Sequence, residues 1–165
     1  MPAKKSIDHL DCVVASTIDV IGDRWTLLIM RDVFFGVRRF GDFQKDLKIA
    51  RNVLADRLQA LVTHGILKTV PYQDHPPRHE YRLTDKGRDL FDVLMALWRY
   101  GDKWEHSDME RVAIHEDCGK ATHMVPSCVH CGGELTRHNL RIEPQLRIVA
   151  ERADATVATG TGATV

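Results

Sequence analysis

Three of the four cysteines in this 165-residue chain lie within one short segment, where their spacing could bind a metal ion. Two residues separate Cys128 from Cys131 in the motif CVHCGG, and two residues also separate His115 from Cys118. Two ligands so spaced can hold one tetrahedral ion from a tight turn, and the following glycines free the backbone amides to point toward the thiolates. The pattern predicts a zinc site with His115, Cys118, Cys128 and Cys131 as its ligands.

The three cysteines are the firmer ligands of this predicted site. The fourth ligand could instead be another histidine of the region: His123, His130 or His138. Four protein ligands would make the zinc structural, because a catalytic zinc keeps one coordination position open. The alternative is that the three cysteines bind no metal and lie in a mobile tail.

Cysteine usage also indicates the cellular compartment. Clustered cysteines fit metal binding in a reducing compartment better than a secreted disulfide framework. The chain also lacks an apolar run of the roughly 18 residues that a membrane-spanning helix needs, and its N-terminus lacks the apolar region of a signal peptide. We therefore expect a cytoplasmic protein with no membrane partner.

A second group of residues could read DNA. The segment ARNVLADRLQALVTHG contains leucines at helical spacing: Leu54, Leu58 and Leu61. If these leucines face inward, Arg51, Asn52 and Asp56 face outward, mostly near the start of the helix. Arg and Asn fit the edges of guanine and adenine in the major groove, where a recognition helix presents its N-terminal residues. An ordinary solvated helix face is the alternative interpretation.

The stretch YQDHPPRHEYRLTDKG indicates a β-hairpin with a rigid, cationic tip. The flanking segments ILKTVPY and HEYRLT have strand character, so the two can pair with QDHPPR as the loop. Pro76 and Pro77 cannot donate to a strand ladder and therefore belong at the tip or an edge. Arg78, with His75 or His79, could contact phosphates or the minor groove. A solvated loop is the alternative.

Charge is distributed unevenly along a chain whose formal net charge is zero. From Gly36 to Arg82 there are nine Lys and Arg residues against five Asp and Glu residues. Arg38, Arg39 and Arg57 belong to this basic region and are further candidates for DNA contact. A basic region of this kind is compatible with a nucleic-acid partner, because the position of the charges matters more than their sum.

The elements that would position these residues are mostly helical. CVVASTIDVIG predicts a helix that ends at Gly22, and Asp23 can cap a second helix whose apolar stripe includes Trp25. RRFGDFQKDL and ARNVLADRLQALVTHG then form a helix-turn-helix, and the hairpin follows. Thr84 can cap a long helix whose apolar face continues to Trp104. The predicted fold is mainly α with a small β-hairpin wing, a winged helix-turn-helix, plus a small C-terminal Cys/His metal-binding extension.

The run from Cys12 to Trp104 resembles the HxlR-type winged helix-turn-helix transcriptional regulators, which are related to the MarR group. The motifs that carry the resemblance occur in order: IDVIGDRWTLLIMRDVFFGVRRFGDF, LADRLQALVTHGIL and YQDHPPRHEYRLTDKG. The resemblance implies a homodimer that binds double-stranded DNA at an inverted-repeat operator, often as a repressor. It also implies pairing of the first and last helices between protomers, which sets two recognition helices about 34 to 36 Å apart.

The resemblance further implies release from DNA by an oxidant, an electrophile or a small-molecule effector. Cys12 is the possible redox sensor, although this chain has Cys12-Val13 where many members have Cys-Pro, and a buried, inert thiol is the alternative. Ala50 stands where many members have a capping serine. Trp25, Phe91 and Trp98 could line an effector pocket, although such residues more often belong to the core.

The predicted organisation is a DNA-binding and dimerisation domain over residues 1–106, a zinc-binding extension over 107–143 and a disordered tail over 144–165. Two other functions remain possible from the sequence. One is a zinc-dependent enzyme built on the Cys/His cluster, and it is disfavoured because the chain contains no phosphate-binding glycine motif, nucleophile elbow or HExxH motif. The other is a winged helix that serves protein contacts alone.

Overall fold

The computed structural model describes residues 12–105 and 112–142. The elements in chain order are α1 Val13–Ile21, α2 Arg24–Phe34, α3 Phe40–Leu47, α4 Arg51–Thr63, β1 Leu67–Gln73, β2 Arg78–Leu83, α5 Asp85–Arg88, α6 Phe91–Trp104, β3 Ala113–His115 and β4 Lys120–Thr122. The chain divides into two compact units, the first ending at Met124 and the second beginning at Val125. The predicted domain boundary after residue 106 and the predicted tail over 144–165 lie outside the described residues.

The junction between α1 and α2 forms as the sequence predicts. The amide of Gly22 donates to the carbonyl of Ile18 at 2.7 Å and ends α1. Asp23 then caps α2, because its Oδ1 accepts hydrogen bonds from the amides of Trp25 at 3.0 Å and Thr26 at 3.3 Å. The carboxylate thereby satisfies two of the amides that a helix start leaves without partners.

The core of the first unit lies between α2, α3, α4 and the start of the wing. Its largest fully buried side chains are Phe43, Ile29, Met30, Leu54, Leu58, Leu61, Ile66 and Leu67. Each buried side chain of this size contributes roughly 1.5 to 3 kcal/mol relative to an exposed one. Of the apolar stripe predicted for α2, Ile29 and Val33 are buried, whereas Trp25 and Leu28 are only half-buried.

α3 and α4 form the predicted helix-turn-helix. Lys48 ends α3 in the left-handed conformation with φ of 48°, which turns the chain sharply. Ile49 follows and is buried in the core, so the connection is anchored by an apolar side chain. α4 then begins at Arg51 after Ala50.

β1 and β2 form the predicted antiparallel wing. Leu67 pairs with Leu83 at its base, and the register shifts between Pro71 and Gln73. Proline lacks the amide that a continuous ladder requires, so an irregularity there accommodates it. A third short segment joins the wing, since the amide of Tyr81 donates to the carbonyl of Arg38 at 2.8 Å.

The long helix predicted from Thr84 to Trp104 is interrupted, and this prediction was wrong in that respect. Thr84 does cap a helix, its Oγ1 accepting from the amide of Gly87 at 3.1 Å, but that helix ends at Arg88. The amide of Leu90 bonds to the carbonyl of Gly87 at 3.3 Å, three residues back rather than four. The cause is tertiary, because Thr84 Oγ1 also donates to the carbonyl of Gly65 at 2.6 Å and holds the short helix to the end of α4.

α6 and α1 both present apolar side chains to the exterior. None of the residues of α6 is buried, and Val93, Leu97, Tyr100 and Trp104 recur along one exposed face. Tyr100 and Trp104 are 61% and 62% exposed. On α1, Val13 and Val14 are likewise exposed. An amphipathic helix normally turns such a face toward a core, so both helices carry apolar surface that the first unit does not cover.

Within 12–105 and 112–142, no helix combines the length and the apolarity that a membrane crossing requires.

The contact between α5 and the end of α4 predicts a strong effect for Gly87→Ala. An added Cβ would lie 2.2 Å from the carbonyl oxygen of Ile66, a backbone atom that cannot move alone. We expect the free energy of unfolding to fall by about 1 to 3 kcal/mol, as for other overpacked sites. Urea denaturation would measure it.

Gly41→Ala is the matched control, because nothing lies within 4 Å of the added Cβ in α3. Replacing a helical glycine by alanine should leave the stability unchanged or raise it by up to about 1 kcal/mol. Equal unfolding midpoints for the two variants would show that the contact between Gly87 and Ile66 is not tight.

Candidate nucleic-acid interface

α4 has one buried and one exposed face, as the leucine spacing predicts. Leu54, Leu58 and Leu61 are buried in the core. Arg51, Asn52, Ala55, Asp56 and Gln59 are exposed on the other side. The exposed polar residues therefore begin at the first turn of the helix, where a recognition helix meets base edges.

The start of α4 leaves its backbone amides available. Ala50 occupies the N-cap position and makes no side-chain capping bond. Helix-start amides without a cap, together with the positive end of the helix dipole, form a site that favours an anion such as a phosphate. The guanidinium of Arg51 lies 5.5 Å from the ring centre of Phe40, which limits its orientations.

Arg57 has an intramolecular ion-pair partner. Its Nε lies 3.3 Å from Oδ1 of Asp23, and both side chains are about two-thirds shielded from solvent. Among the described residues this Nε makes no hydrogen bond of good geometry, so the contact is an ion pair. Arg57 therefore ties the middle of α4 to the start of α2.

A cluster of charges joins the start of α3 to the wing. Nε and Nη2 of Arg39 each lie 3.2 Å from Oε1 of Glu80, and the guanidinium stacks 4.3 Å from the ring centre of Tyr72. Arg82 binds the other oxygen of Glu80 through Nη2 at 3.1 Å. Hydrogen bonding by Arg82, followed by that of Arg39, lowers the pKa of Glu80 from its ordinary value against the opposing effect of desolvation. Glu80 therefore stays ionised and fixes Arg39 on the wing.

The ion pairs that Glu80 forms with Arg82 and Arg39 were not predicted from the sequence. A signal was present, because strand residues two apart share one face and these two carry opposite charges. The contact with Arg39 had no such signal, since 41 residues separate it from Glu80.

The remaining candidates lie at the tip of the wing and beside its middle. His75, Arg78 and His79 are exposed around the loop, where the side-chain Nε2 of Gln73 donates to the carbonyl of His75 at 3.0 Å. Arg38 is exposed next to Arg39, and its carbonyl accepts from the amide of Tyr81 in β2. Exposed cations are thus present at the helix start, beside the middle of the wing and at the wing tip.

The predicted zinc ligands form two pairs, and the structure describes each pair by itself. In the first unit, Nδ1 of His115 lies 3.3 Å from Sγ of Cys118 across the turn between β3 and β4. In the second unit, the backbone amides of His130 and Cys131 point toward the sulfur of Cys128 and lower the pKa of this thiol. Over 12–105 and 112–142, no group of three or more His, Cys, Asp or Glu side chains is placed to hold a metal ion. The zinc site stays a prediction.

Cys12 is exposed at the N-cap position of α1. Its carbonyl accepts from the amide of Ser16 at 3.0 Å, whereas its side chain makes no capping hydrogen bond. Cys12 is therefore not the buried, inert thiol that was the alternative to a redox sensor.

Two concave surfaces lie along α6. An apolar crevice of about 210 Å³ separates α2 from α6, and a cleft of about 810 Å³ separates α6 from the hairpin of β3 and β4. Phe91 and Trp98, two of the three aromatic residues considered as pocket-lining, border both. Trp25 borders neither of them.

Comparison with known proteins agrees with this arrangement. The profile of the HxlR-like helix-turn-helix family matches residues 20–109. The HTH-type transcriptional regulator Rv3095 of Mycobacterium tuberculosis is 43% identical over 133 residues, which cover 79% of this chain and 84% of the relative.

Two solved structures show the same fold. The crystal structure of PA1607, described as a candidate transcription factor, is 40% identical with a TM-score of 0.72 and covers 82% of this chain and 96% of that one. The redox regulator HypR in its reduced form is 31% identical with a TM-score of 0.51, covering 54% of this chain and 89% of that one.

The matched region contains the helix-turn-helix, the wing and α6, and the relatives are named as transcriptional regulators and not as enzymes. The chain therefore belongs to the HxlR-like helix-turn-helix family of transcriptional regulators.

Proposed function

We propose that this regulator is a homodimeric repressor that binds an inverted-repeat operator in the bacterial cytoplasm and leaves it when Cys12 is oxidised. The observation that carries the DNA-binding proposal is the exposed polar start of α4, held in place by three buried leucines. The alternatives are a small-molecule effector in place of the oxidant, and a winged helix that serves protein contacts alone.

Recognition of bases is assigned to the first turns of α4. Arg51 and Asn52 can form paired hydrogen bonds with guanine and adenine edges, respectively, and Asp56 can accept from cytosine one turn later. The uncapped amides of the first turn of α4 can hold a phosphate and so fix the helix in the groove. Arg57 contributes by anchoring α4 to Asp23, since its charge already has a partner.

Contacts with the DNA backbone are assigned to the wing and to the arginines beside it, Arg38 and Arg39. Arg78, His75 and His79 are exposed at a tip that contains two prolines, and such a tip loses little conformational entropy on binding. Arg39 and Arg82 share the single carboxylate of Glu80, so this cluster keeps a net positive charge, which lies in a fixed position beside Arg38. Contacts of this kind position the protein without reading sequence.

Dimerisation is assigned to α1 and α6. Val93, Leu97, Tyr100 and Trp104 recur on one face of α6, and Val13 and Val14 add apolar surface on α1. A second copy of the chain would bury both surfaces at once, which makes the interface the same patch on each protomer. A two-fold dimer of recognition helices explains why the operator would be an inverted repeat.

Release by oxidation is assigned to Cys12, which is exposed at the start of a helix in the proposed interface. HypR, a structural neighbour, is named a redox regulator. Hydrogen peroxide would oxidise the Cys12 thiol to a sulfenic acid: the O–O bond breaks, one oxygen joins the sulfur, and the other leaves as water. A small metabolite is the second candidate effector, because the two concave surfaces along α6 are partly apolar and large enough for one.

Arg51→Ala should weaken binding to DNA from immediately upstream of the regulator's own gene. We expect a loss of about 1 to 3 kcal/mol, or roughly fivefold to over a hundredfold in Kd, because a base contact disappears. Fluorescence anisotropy across a salt series, with scrambled DNA as competitor, would measure it. Arg137→Ala removes the same charge from an exposed site in the second unit and should bind normally.

Wild-type binding that is equal on scrambled DNA, or absent at every salt concentration, would favour a winged helix used for protein contacts. A normal Kd for Arg51→Ala would remove this residue from the recognition surface.

Leu97→Glu should convert the dimer to a monomer. The side chain is half-exposed on α6, so the substitution leaves the core intact while it buries a charge in the proposed interface. Light scattering would give the mass, and Asp102→Lys, on the opposite side of the same helix, is the control. A dimer in both variants would place the interface elsewhere.

Cys12→Ser should bind the operator normally when reduced and should stay bound after treatment with peroxide, whereas wild-type protein dissociates. The serine hydroxyl cannot form a sulfenic acid, so the proposed switch is removed while the size of the side chain is kept. Anisotropy before and after peroxide addition measures both states. Dissociation of oxidised Cys12→Ser would assign the response to another thiol.

A further inference from the structure

The second unit has an ordered backbone but no apolar core in its described part. Across residues 125–142 no side chain is buried, and Cys128 and Leu135 are only half-buried. Val129 and Ile142 are 93% and 89% exposed. A segment of this size cannot fix its own conformation by burying apolar surface, and small natural domains add disulfides or a structural metal for this reason.

Short-range backbone hydrogen bonds nevertheless define a tight loop between Pro126 and Leu135. The amide of Cys128 donates to the carbonyl of Gly133 at 2.8 Å, and the amide of Gly132 donates to the carbonyl of Cys128 at 2.8 Å. The amide of Leu135 donates to the carbonyl of Pro126 at 2.9 Å. These bonds are exposed to water and contribute little net stability, so another interaction must hold the loop.

The two sulfur atoms sit at the tip of this loop. The thiol of Cys131 is hydrogen-bonded to Sγ of Cys128, and the backbone amides of His130 and Cys131 point toward the same sulfur. Gly132 has a positive φ of 71°, and a Cβ on Gly133 would lie 3.4 Å from Sγ of Cys131. The two cysteines thus lie on one tight turn, and the glycines give the chain room to turn around both sulfurs.

We propose that Cys128 and Cys131 bind a structural Zn²⁺ as two of its four ligands. Two convergent thiolates on one turn favour Zn²⁺ over the hard cations Mg²⁺ and Ca²⁺, which prefer oxygen ligands. The metal would supply the cross-link that the missing core requires. The proposal concerns these two ligands of the second unit and assigns no residue of the first unit to the same ion. The proposal does not depend on DNA binding.

Metal content of the full-length chain, purified without chelator or affinity tag, tests the proposal directly. Elemental mass spectrometry should find about one zinc per chain in the wild type, as expected for one tetrahedral site. Cys131→Ser should lose it, and Cys12→Ser should keep it because this thiol lies outside the loop. Absence of zinc from the wild type, equal zinc in Cys131→Ser, or iron in its place would overturn the proposal.

A disulfide between the same cysteines is the chemical alternative, since both thiols are free in the structure and only two residues separate them. Its formation would remove two hydrogens and transfer two electrons to an oxidant. An intact mass lower by two hydrogens in freshly purified, metal-free protein would contradict the zinc assignment.

Two further measurements protect the test against misfolding of Cys131→Ser. Addition of Co²⁺ to the metal-free wild type should produce thiolate-to-cobalt charge-transfer absorption, which Cys131→Ser should weaken or lose. Removal of the metal from the wild type should accelerate hydrogen exchange of the amides of residues 128, 132 and 135, while those of the buried turns of α4 stay protected. Exchange unchanged by the chelator would show that no metal holds the loop.

Discussion

Burial of the leucine face of α4 is the constraint on which the first unit depends. Leu54, Leu58 and Leu61 fix both the position of the helix and its rotation about its own axis. Because helix residues advance by a constant angle, this burial leaves no choice about where Arg51 and Asn52 point. The same helix orientation therefore packs the core and exposes the polar surface, so a change that rotates α4 would disturb both.

The sequence was sufficient wherever a local pattern decided the outcome. Leucine spacing predicted the faces of α4, and the strand-like segments around two prolines predicted the wing. Long-range contacts decided the features that were missed. The break between α5 and α6 accompanies the hydrogen bond from Thr84 to the carbonyl of Gly65, 19 positions earlier, and no local pattern predicts this contact. The partner of Arg57 is similarly remote, since Asp23 belongs to another helix.

The two units are stabilised by different means. The first has a core of large aliphatic and aromatic side chains and needs no further cross-link for its stability. The described part of the second consists of turns and exposed apolar residues. The spacing of its cysteines was the feature from which a zinc site was predicted. Spacing within a motif predicts which donors are neighbours, whereas a complete coordination set requires a tertiary arrangement that spacing alone does not define, so the zinc ligands stay a prediction.

Oδ1 of Asp23 has three partners: the amides of Trp25 and Thr26 and the guanidinium of Arg57. The start of α2 and the middle of α4 thus share a single oxygen atom. A rotation of α2 about its first turn would either carry α4 along or separate this ion pair, at the cost of leaving a half-buried cation without its counter-charge. This oxygen therefore couples the start of α2, which directly follows α1, to the helix that presents Arg51. A movement of the helix that follows Cys12 would reach the DNA-reading surface through this contact.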